Sequence, residues 1–190
     1  MNREPVNGYR KKMKYPTVFH LISDVCAKTG TSCILVGGFA LNYYKVTRQT
    51  ADVDFLITKD DFKKIEPLLQ KAGYEAQVIQ EAFARLKGDR FYLMDIDFLF
   101  VDEATFNKII DDSKKISIGG QEFTVPSLKN LIALKLHALK YNPKIRENKD
   151  LPDIIELIRI NRLDCKSKEF QELCLKYGTK EILDKILERI

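Results

Sequence analysis

The sequence predicts an α/β (α+β) fold: strands and helices interleaved to about residue 125, then an all-helical tail. Three observations carry this reading. Short runs rich in β-branched and aromatic residues, SCILV at 32–36, DVDFLI at 52–57 and FYLMDIDFLF at 91–100, read as strands. Amphipathic stretches, with apolar residues three and four apart, separate them. From Pro126 onward only the helical spacing remains.

Taken in order, Thr17–Thr29 is the first helix, with Phe19, Leu21, Ile22, Val25 and Cys26 on its apolar face and Gly30 as its stop. SCILV follows and ends in Gly37-Gly38. FALNYYKV then forms a short helix, and a polar loop leads into DVDFLI. Residues 60–72 are helical up to Gly73, with a bend expected at Pro67. Residues 74–87 supply one or two strands, and a Gly88-Asp89 turn leads into FYLMDIDFLF. VDEATFNKIIDDSKK is helical, and ISIGGQEFTV is a hairpin turning at Gly119-Gly120. In the tail, PSLKNLIALKLHALKY is a helix capped by Ser127, and NPKIRENK is a basic loop. KDLPDIIELIRINRL is the next helix, with Leu151, Ile154, Ile155 and Ile158 as its core stripe, and two more helices reach the C-terminus.

A chain of 190 residues, 45% apolar and 31% charged, suits a soluble protein with one good core or a core and a small appendage. No run approaches 18 apolar residues, so no transmembrane helix is expected. The basic N-terminal stretch lacks the apolar segment of a signal peptide, which makes the cytoplasm the expected compartment. Cys26, Cys33, Cys165 and Cys174 form no C-x-x-C pair, and with only two histidines they argue against zinc and for reduced, buried thiols. The net charge of +5 permits a phosphate-bearing partner without demanding one.

The stretch TADVDF at 50–55 poses the chemical question. Side chains alternate along a strand, so Asp52 and Asp54 share a face, about 6–7 Å apart, while Val53 and Phe55 face the core. Carboxylates so placed repel by up to a few kcal/mol once partly desolvated. Each feature alone has an ordinary explanation: acidic residues at a strand end are solvated, and a double glycine after a strand makes a tight turn. A glycine pair also allows close backbone approach to a phosphate, with helix amides aimed at it.

Together the features say more. VGG at 36–38, a short helix, a loop, Asp52-Val53-Asp54-Phe55 and a third acidic strand, MDIDF, follow one another, with thirteen residues between Gly38 and Asp52. This order resembles the nucleotidyltransferase superfamily, of DNA polymerase β-like fold. The resemblance implies a mixed sheet flanked by helices, with a catalytic core over 1–125 and a helical C-terminal domain over 126–190. It also implies transfer of a nucleoside monophosphate from a nucleoside triphosphate to an acceptor hydroxyl. Asp52, Asp54 and Asp97 are then the metal ligands for Mg²⁺, two ions in all. Two such ions require several hard oxygen donors converging on one spot, which accounts for the paired aspartates. Asp95 shares a face with Asp97 and competes for the third position; the family's Asp-hydrophobic-Leu context favours Asp97. Gly37 and Gly38 are the phosphate cradle. Arg48 and Thr50 fit the family's Arg-x-Ser/Thr arrangement, and Arg48 either holds a triphosphate oxygen or pins its loop by pairing with an aspartate.

The tail narrows the branch. Lys135 has Leu131, Ile132, Ala138 and Leu139 as helical neighbours, so its amine either snorkels to water or meets an anion. Asp150 and Asp153 lie on adjacent turns, where acidic residues of a first turn are ordinarily explained by the helix dipole. The order S-L-x-x-L-I-A-L-K-L-x-A, a basic loop and K-D-L-x-D-I looks like the AbiEii-like and MenT-like nucleotidyltransferases, toxins of bacterial toxin–antitoxin systems. By that resemblance Lys135 binds phosphate, Asp150 is an active-site residue and candidate general base, and Lys149 contacts nucleotide. Gly38 departs from the Gly-Ser that many of these toxins carry. The acceptor is RNA, tRNA among the candidates, or protein; a cognate antitoxin is a further expected partner, a membrane is not. Lys140, Lys144, Arg146 and Lys149 either guide an RNA or form a solvated surface. An antibiotic-type enzyme with a small-molecule acceptor and a non-catalytic nucleotide-binding protein are the rival readings. His20 and His137 lie away from the motifs.

Overall fold

A computed structural model describes residues 15–89 and 93–190. The chain runs α1 (Val18–Thr29), β1 (Ile34–Leu35), α2 (Gly37–Tyr43), β2 (Asp52–Thr58), α3 (Lys59–Lys71), β3 (Tyr74–Ile79), β4 (Phe83–Gly88), β5 (Asp95–Val101), α4 (Glu103–Asp111), β6 (Lys114–Ile118) and β7 (Gln121–Val125). Four helices follow: α5 (Leu128–Tyr141), α6 (Pro143–Ile160), α7 (Lys168–Tyr177) and α8 (Lys180–Leu187). The strands form a mixed sheet of seven in the order β3-β4-β5-β2-β1-β7-β6. β2 runs parallel to β5 and β1 parallel to β7, while the other neighbours are antiparallel.

The period-two pattern of β2 splits the molecule into layers. Val53, Phe55 and Ile57 are buried in the main core with residues of α1 and α3, and Phe98 of β5 stacks on Phe55. Leu56 points the other way and joins Ile34, Val36, Phe106 and Ile109 in a second cluster under α4. Asp52 and Asp54 share the Leu56 face at the start of the strand, beyond the cover of that cluster. The tail packs α5 against α6, α7 and α8 and is bonded back to the sheet module. The Tyr44 hydroxyl donates to the Pro126 carbonyl at 2.7 Å, and the Asn161 amide donates to the Tyr44 carbonyl at 3.1 Å.

Several boundaries differ from the sequence expectation, each for a physical reason. Only Ile34 and Leu35 of SCILV pair as a strand, and α2 begins on Gly37 itself rather than after the glycine pair. β5 begins at Asp95; the expected start, Phe91, lies outside the described residues. α4 is shorter than VDEATFNKIIDDSKK, because Val101 completes β5, Asp102 caps the helix and Lys114 opens β6. The expected basic loop is helical. α6 starts with Pro143, whose missing amide is one of those a helix start leaves unbonded, and residues 144–149 form its first turns. Asp150 is therefore not in a first turn, and the helix dipole does not account for it. Both α3 and α6 continue through an internal proline, Pro67 and Pro152. No helix among the described residues is long and apolar enough to cross a membrane.

Candidate active site

Register builds the site. The parallel pairing of β2 with β5 sets Asp52 opposite Asp95 and Asp54 opposite Asp97. Asp52, Asp54 and Asp97 each offer a carboxylate oxygen within 4.8 Å of the others, and all three are half-buried. Asp95 turns aside and accepts the Gly88 amide at 3.3 Å. The loop entering β2 adds Thr50, whose hydroxyl lies 2.7 Å from Asp52 Oδ1 and 3.0 Å from the Asp52 carbonyl. Burial pushes the Asp54 carboxyl up from 3.8 to about 6; Asp52 and then Asp97 add to the shift, while Lys149 and Lys135 oppose it.

The glycines are explained by what lies beside them. Gly37 has φ of 59°, and a Cβ there would fall 1.8 Å from Asp54 Oδ2. At Gly38 a Cβ would come within 2.9 Å of Thr50 Cβ. The pair lets α2 start directly against the acidic strand, where a side chain on either glycine would displace Asp54 or Thr50. Asn42 of α2 fixes the next loop: its Oδ1 accepts the Arg48 amide at 2.8 Å, and its amide donates to the Arg48 carbonyl at 3.1 Å.

From the tail, Lys135 reaches a buried ionic cluster. It neither snorkels to water nor stands free: its amine donates to Asp150 Oδ1 at 2.8 Å and Asp153 Oδ2 at 2.7 Å, all three groups being nearly inaccessible. The other oxygen of Asp153 takes the Arg48 guanidinium, so the network joins α5 and α6 to the loop before β2. Arg48 thus pairs with an aspartate, one of its two expected uses. Asp150 Oδ2 is buried without a hydrogen-bond partner, with Arg146 at 3.7 Å. Lys149 is exposed but close enough to lower the Asp54 pKa.

Two residues of this constellation escaped sequence reasoning. Arg85 of β4 donates from Nε to Asp97 Oδ1 at 2.7 Å and from Nη2 to Oδ2 at 2.5 Å. Its signal was its place between buried Ala84 and Leu86, which puts it on the same sheet face as its cross-strand neighbour Asp97. Asp153, noticed only as a helical neighbour of Asp150, is the residue on which Arg48 and Lys135 converge. The histidines stay apart: His20 bonds Thr17 at the start of α1, and His137 packs on Tyr141.

A family model described as the nucleotidyl transferase AbiEii toxin of a type IV toxin–antitoxin system matches residues 20–189. This chain belongs to that family. It is accordingly a nucleotidyltransferase, with the nucleotidyltransferase fold. No curated protein matches the sequence. Among solved structures, the antibiotic-resistance factor ANT(2'')-Ia in solution superposes with a TM-score of 0.60 at 12% identity, over 89% of this chain and 94% of that one. An antigenic nucleotidyltransferase-like protein from Paracoccidioides brasiliensis gives 0.53 at 17% identity, over 88% of this chain and 89% of that one. The lincosamide antibiotic adenylyltransferase LnuA, with lincomycin bound, gives 0.51 at 17% identity, over 73% of this chain and 93% of that one. At these identities the likeness of the AbiEii-family chain to its neighbours is one of fold.

Three outcomes follow from this geometry. The folded-state pKa of Asp54 lies above its unfolded value, so the ionised carboxylate costs stability above about pH 6 and costs nothing below about pH 4. Asp54→Asn in EDTA should raise the melting temperature by several degrees at pH 7.5, and the gain should vanish as the pH falls toward 4. Gly37→Ala should cost about 1–2 kcal/mol for the left-handed backbone alone, and should weaken Mn²⁺ binding because Asp54 must move; denaturant unfolding and a Mn²⁺ titration read the two effects. Lys135→Met, leaving buried Asp153 with Arg48 alone and buried Asp150 with only Arg146 at 3.7 Å, should cost about 3–5 kcal/mol in urea unfolding, part of it recovered in Lys135→Met/Asp153→Asn.

Proposed function

We propose that this protein is the toxin member of a toxin–antitoxin pair and transfers a nucleoside monophosphate from a nucleoside triphosphate to a hydroxyl on RNA, tRNA included. One observation carries the reading: three carboxylate oxygens within 4.8 Å of one another, set against a glycine whose replacement would displace Asp54. Hard carboxylate oxygens at this spacing fit Mg²⁺, and Asp52, Asp54 and Asp97 are the residues to hold one or two ions. Bound there, Mg²⁺ supplies the positive charge that phosphoryl transfer needs at the α-phosphate and the departing pyrophosphate.

The remaining steps belong to this chain's own side chains. Gly37 and Gly38 bring the backbone at the start of α2 directly against Asp54 and Thr50, and Thr50 steadies Asp52 by its hydrogen bond. Lys149, and Lys135 by exchanging one of its aspartates for phosphate, draw the anionic nucleotide toward the N-terminal ends of β2 and β5. Arg48, held by Asn42 and Asp153, orients the loop along which the nucleotide lies. Asp150 is the candidate base: its Oδ2 makes no hydrogen bond and has Arg146 at 3.7 Å, and the acceptor hydroxyl reaches this buried oxygen only by displacing what covers it. A catalytic unit over 1–125 and a helical unit over 126–190 divide this work, in the cytoplasm, where nucleotide and RNA meet.

RNA is favoured over a cationic drug by charge. Lys140, Lys144, Arg146 and Lys149 lie at the α5–α6 junction, around the helix turns that carry Asp150, whereas a cationic antibiotic calls for an acidic pocket. The test is transfer of label from each α-³²P nucleoside triphosphate, with Mg²⁺, to total RNA and protein. Label should appear on RNA and fall at least about a hundredfold with Asp52→Asn, the scale of losing one preorganised electrostatic partner of a transition state. Label on protein would replace the acceptor, and no label on either would favour a small-molecule acceptor or simple nucleotide binding.

A further inference from the structure

Arg85 stands outside the sequence motifs, yet among the described residues it is the cation in closest contact with the triad. Its guanidinium forks both oxygens of Asp97, at 2.7 and 2.5 Å. The two residues face each other directly across the β4–β5 ladder, so register brings the guanidinium within reach of the carboxylate. A planar fork is the strongest hold a side chain has on a carboxylate. It occupies one lone-pair direction on each oxygen of Asp97, a carboxylate that a cation at the triad would also need, and two positive groups on one carboxylate repel each other.

The fork is nevertheless built to open. The Arg85 side chain is 47% exposed while that of Asp97 is 15% exposed, so the guanidinium can swing into water and leave the carboxylate in place. Solvent-exposed ion pairs are weakly held. Beyond Asp97 itself, Asp52 and Asp54 are near enough to attract the guanidinium toward the site.

We propose that Arg85 gates the cation site: its guanidinium and a divalent cation compete for Asp97, and the triad closes on the cation only when Arg85 swings away. The proposal rests on the reading of Asp52, Asp54 and Asp97 as metal ligands. A nucleoside triphosphate gives the released guanidinium a new anion at the same place. Cation and nucleotide should then bind with positive coupling, each favouring the state the other needs. If the fork is closed for roughly four-fifths of the time, the competent fraction is about one-fifth, and cation affinity is lowered about fivefold.

The test is a calorimetric Mn²⁺ titration of the full chain, without nucleotide, for wild type, Arg85→Gln, Arg85→Lys and Asp52→Asn. Arg85→Lys is decisive because it keeps the charge and loses the fork. Both Arg85 variants should bind Mn²⁺ about fivefold more tightly, and the gain in Mn²⁺ affinity that a non-hydrolysable nucleotide gives wild type should shrink in both. Tighter binding in Arg85→Gln alone would mean that Arg85 acts only through its field, and would overturn the gate. Wild-type binding in both variants would overturn it as well. A failure of the underlying reading looks different: Mn²⁺ binding that is absent from wild type, or untouched by Asp52→Asn, removes the metal site and the gate together. Circular dichroism and melting in EDTA confirm that each variant is folded.

Discussion

Asp52, Asp54 and Asp97 are held within 4.8 Å of one another because β2 and β5 run parallel in a register that pairs Asp54 with Asp97. The repulsion among them is the constraint around which the rest of the molecule is arranged. Slipping either strand by one residue would turn the carboxylates into the core, so burial of Val53, Phe55, Ile96 and Phe98 enforces the clustering. Asp54 shows the cost locally: burial first, and then Asp52 and Asp97, raise its pKa. The surrounding cations answer it in graded ways: Arg85 by direct contact with Asp97, Lys149 and Lys135 through the field at Asp54.

The helical tail belongs to the same electrostatic system. Lys135, Asp150, Asp153 and Arg48 form a buried chain of charges from α5 through α6 to the loop before β2. Buried ion pairs seldom add net stability over apolar packing, but breaking one is expensive. Such a chain is therefore a poor glue and a good register pin. It fixes where α6 stands relative to the acidic strand, and so where Asp150 and Lys149 stand relative to Asp54. Shared use of Asp153 by Arg48 and Lys135 means that a ligand drawing on one of them is felt by the other.

Much of this was legible in the sequence where local physics decides. The alternation in DVDFLI placed the two aspartates on one face and their neighbours in the core, as β2 shows. The VGG–DVD–DIDF order and the tail pattern pointed to the nucleotidyltransferase superfamily and its AbiEii-like branch, to which the chain belongs. What escaped is set by tertiary pairing. Arg85 means nothing until β4 is known to lie beside β5, and Asp153 looks like any helical carboxylate until α6 is placed against Arg48. Residues 142–149 misled because a run of charges reads as loop, whereas Pro143 and good helix formers begin α6 there. The reason for Gly37 was also hidden: the sequence suggests room for a phosphate, while the contact in the fold is with Asp54.

The central claim is that the three carboxylates are a divalent-cation site. Anomalous diffraction from crystals grown with Mn²⁺ and a non-hydrolysable nucleoside triphosphate tests it most directly. An anomalous peak should appear bonded to oxygens of Asp52, Asp54 and Asp97, with the polyphosphate lying against Gly37 and Gly38. Nucleotide bound with no peak at these carboxylates, or Mn²⁺ bound elsewhere with Arg85 still on Asp97, would contradict it.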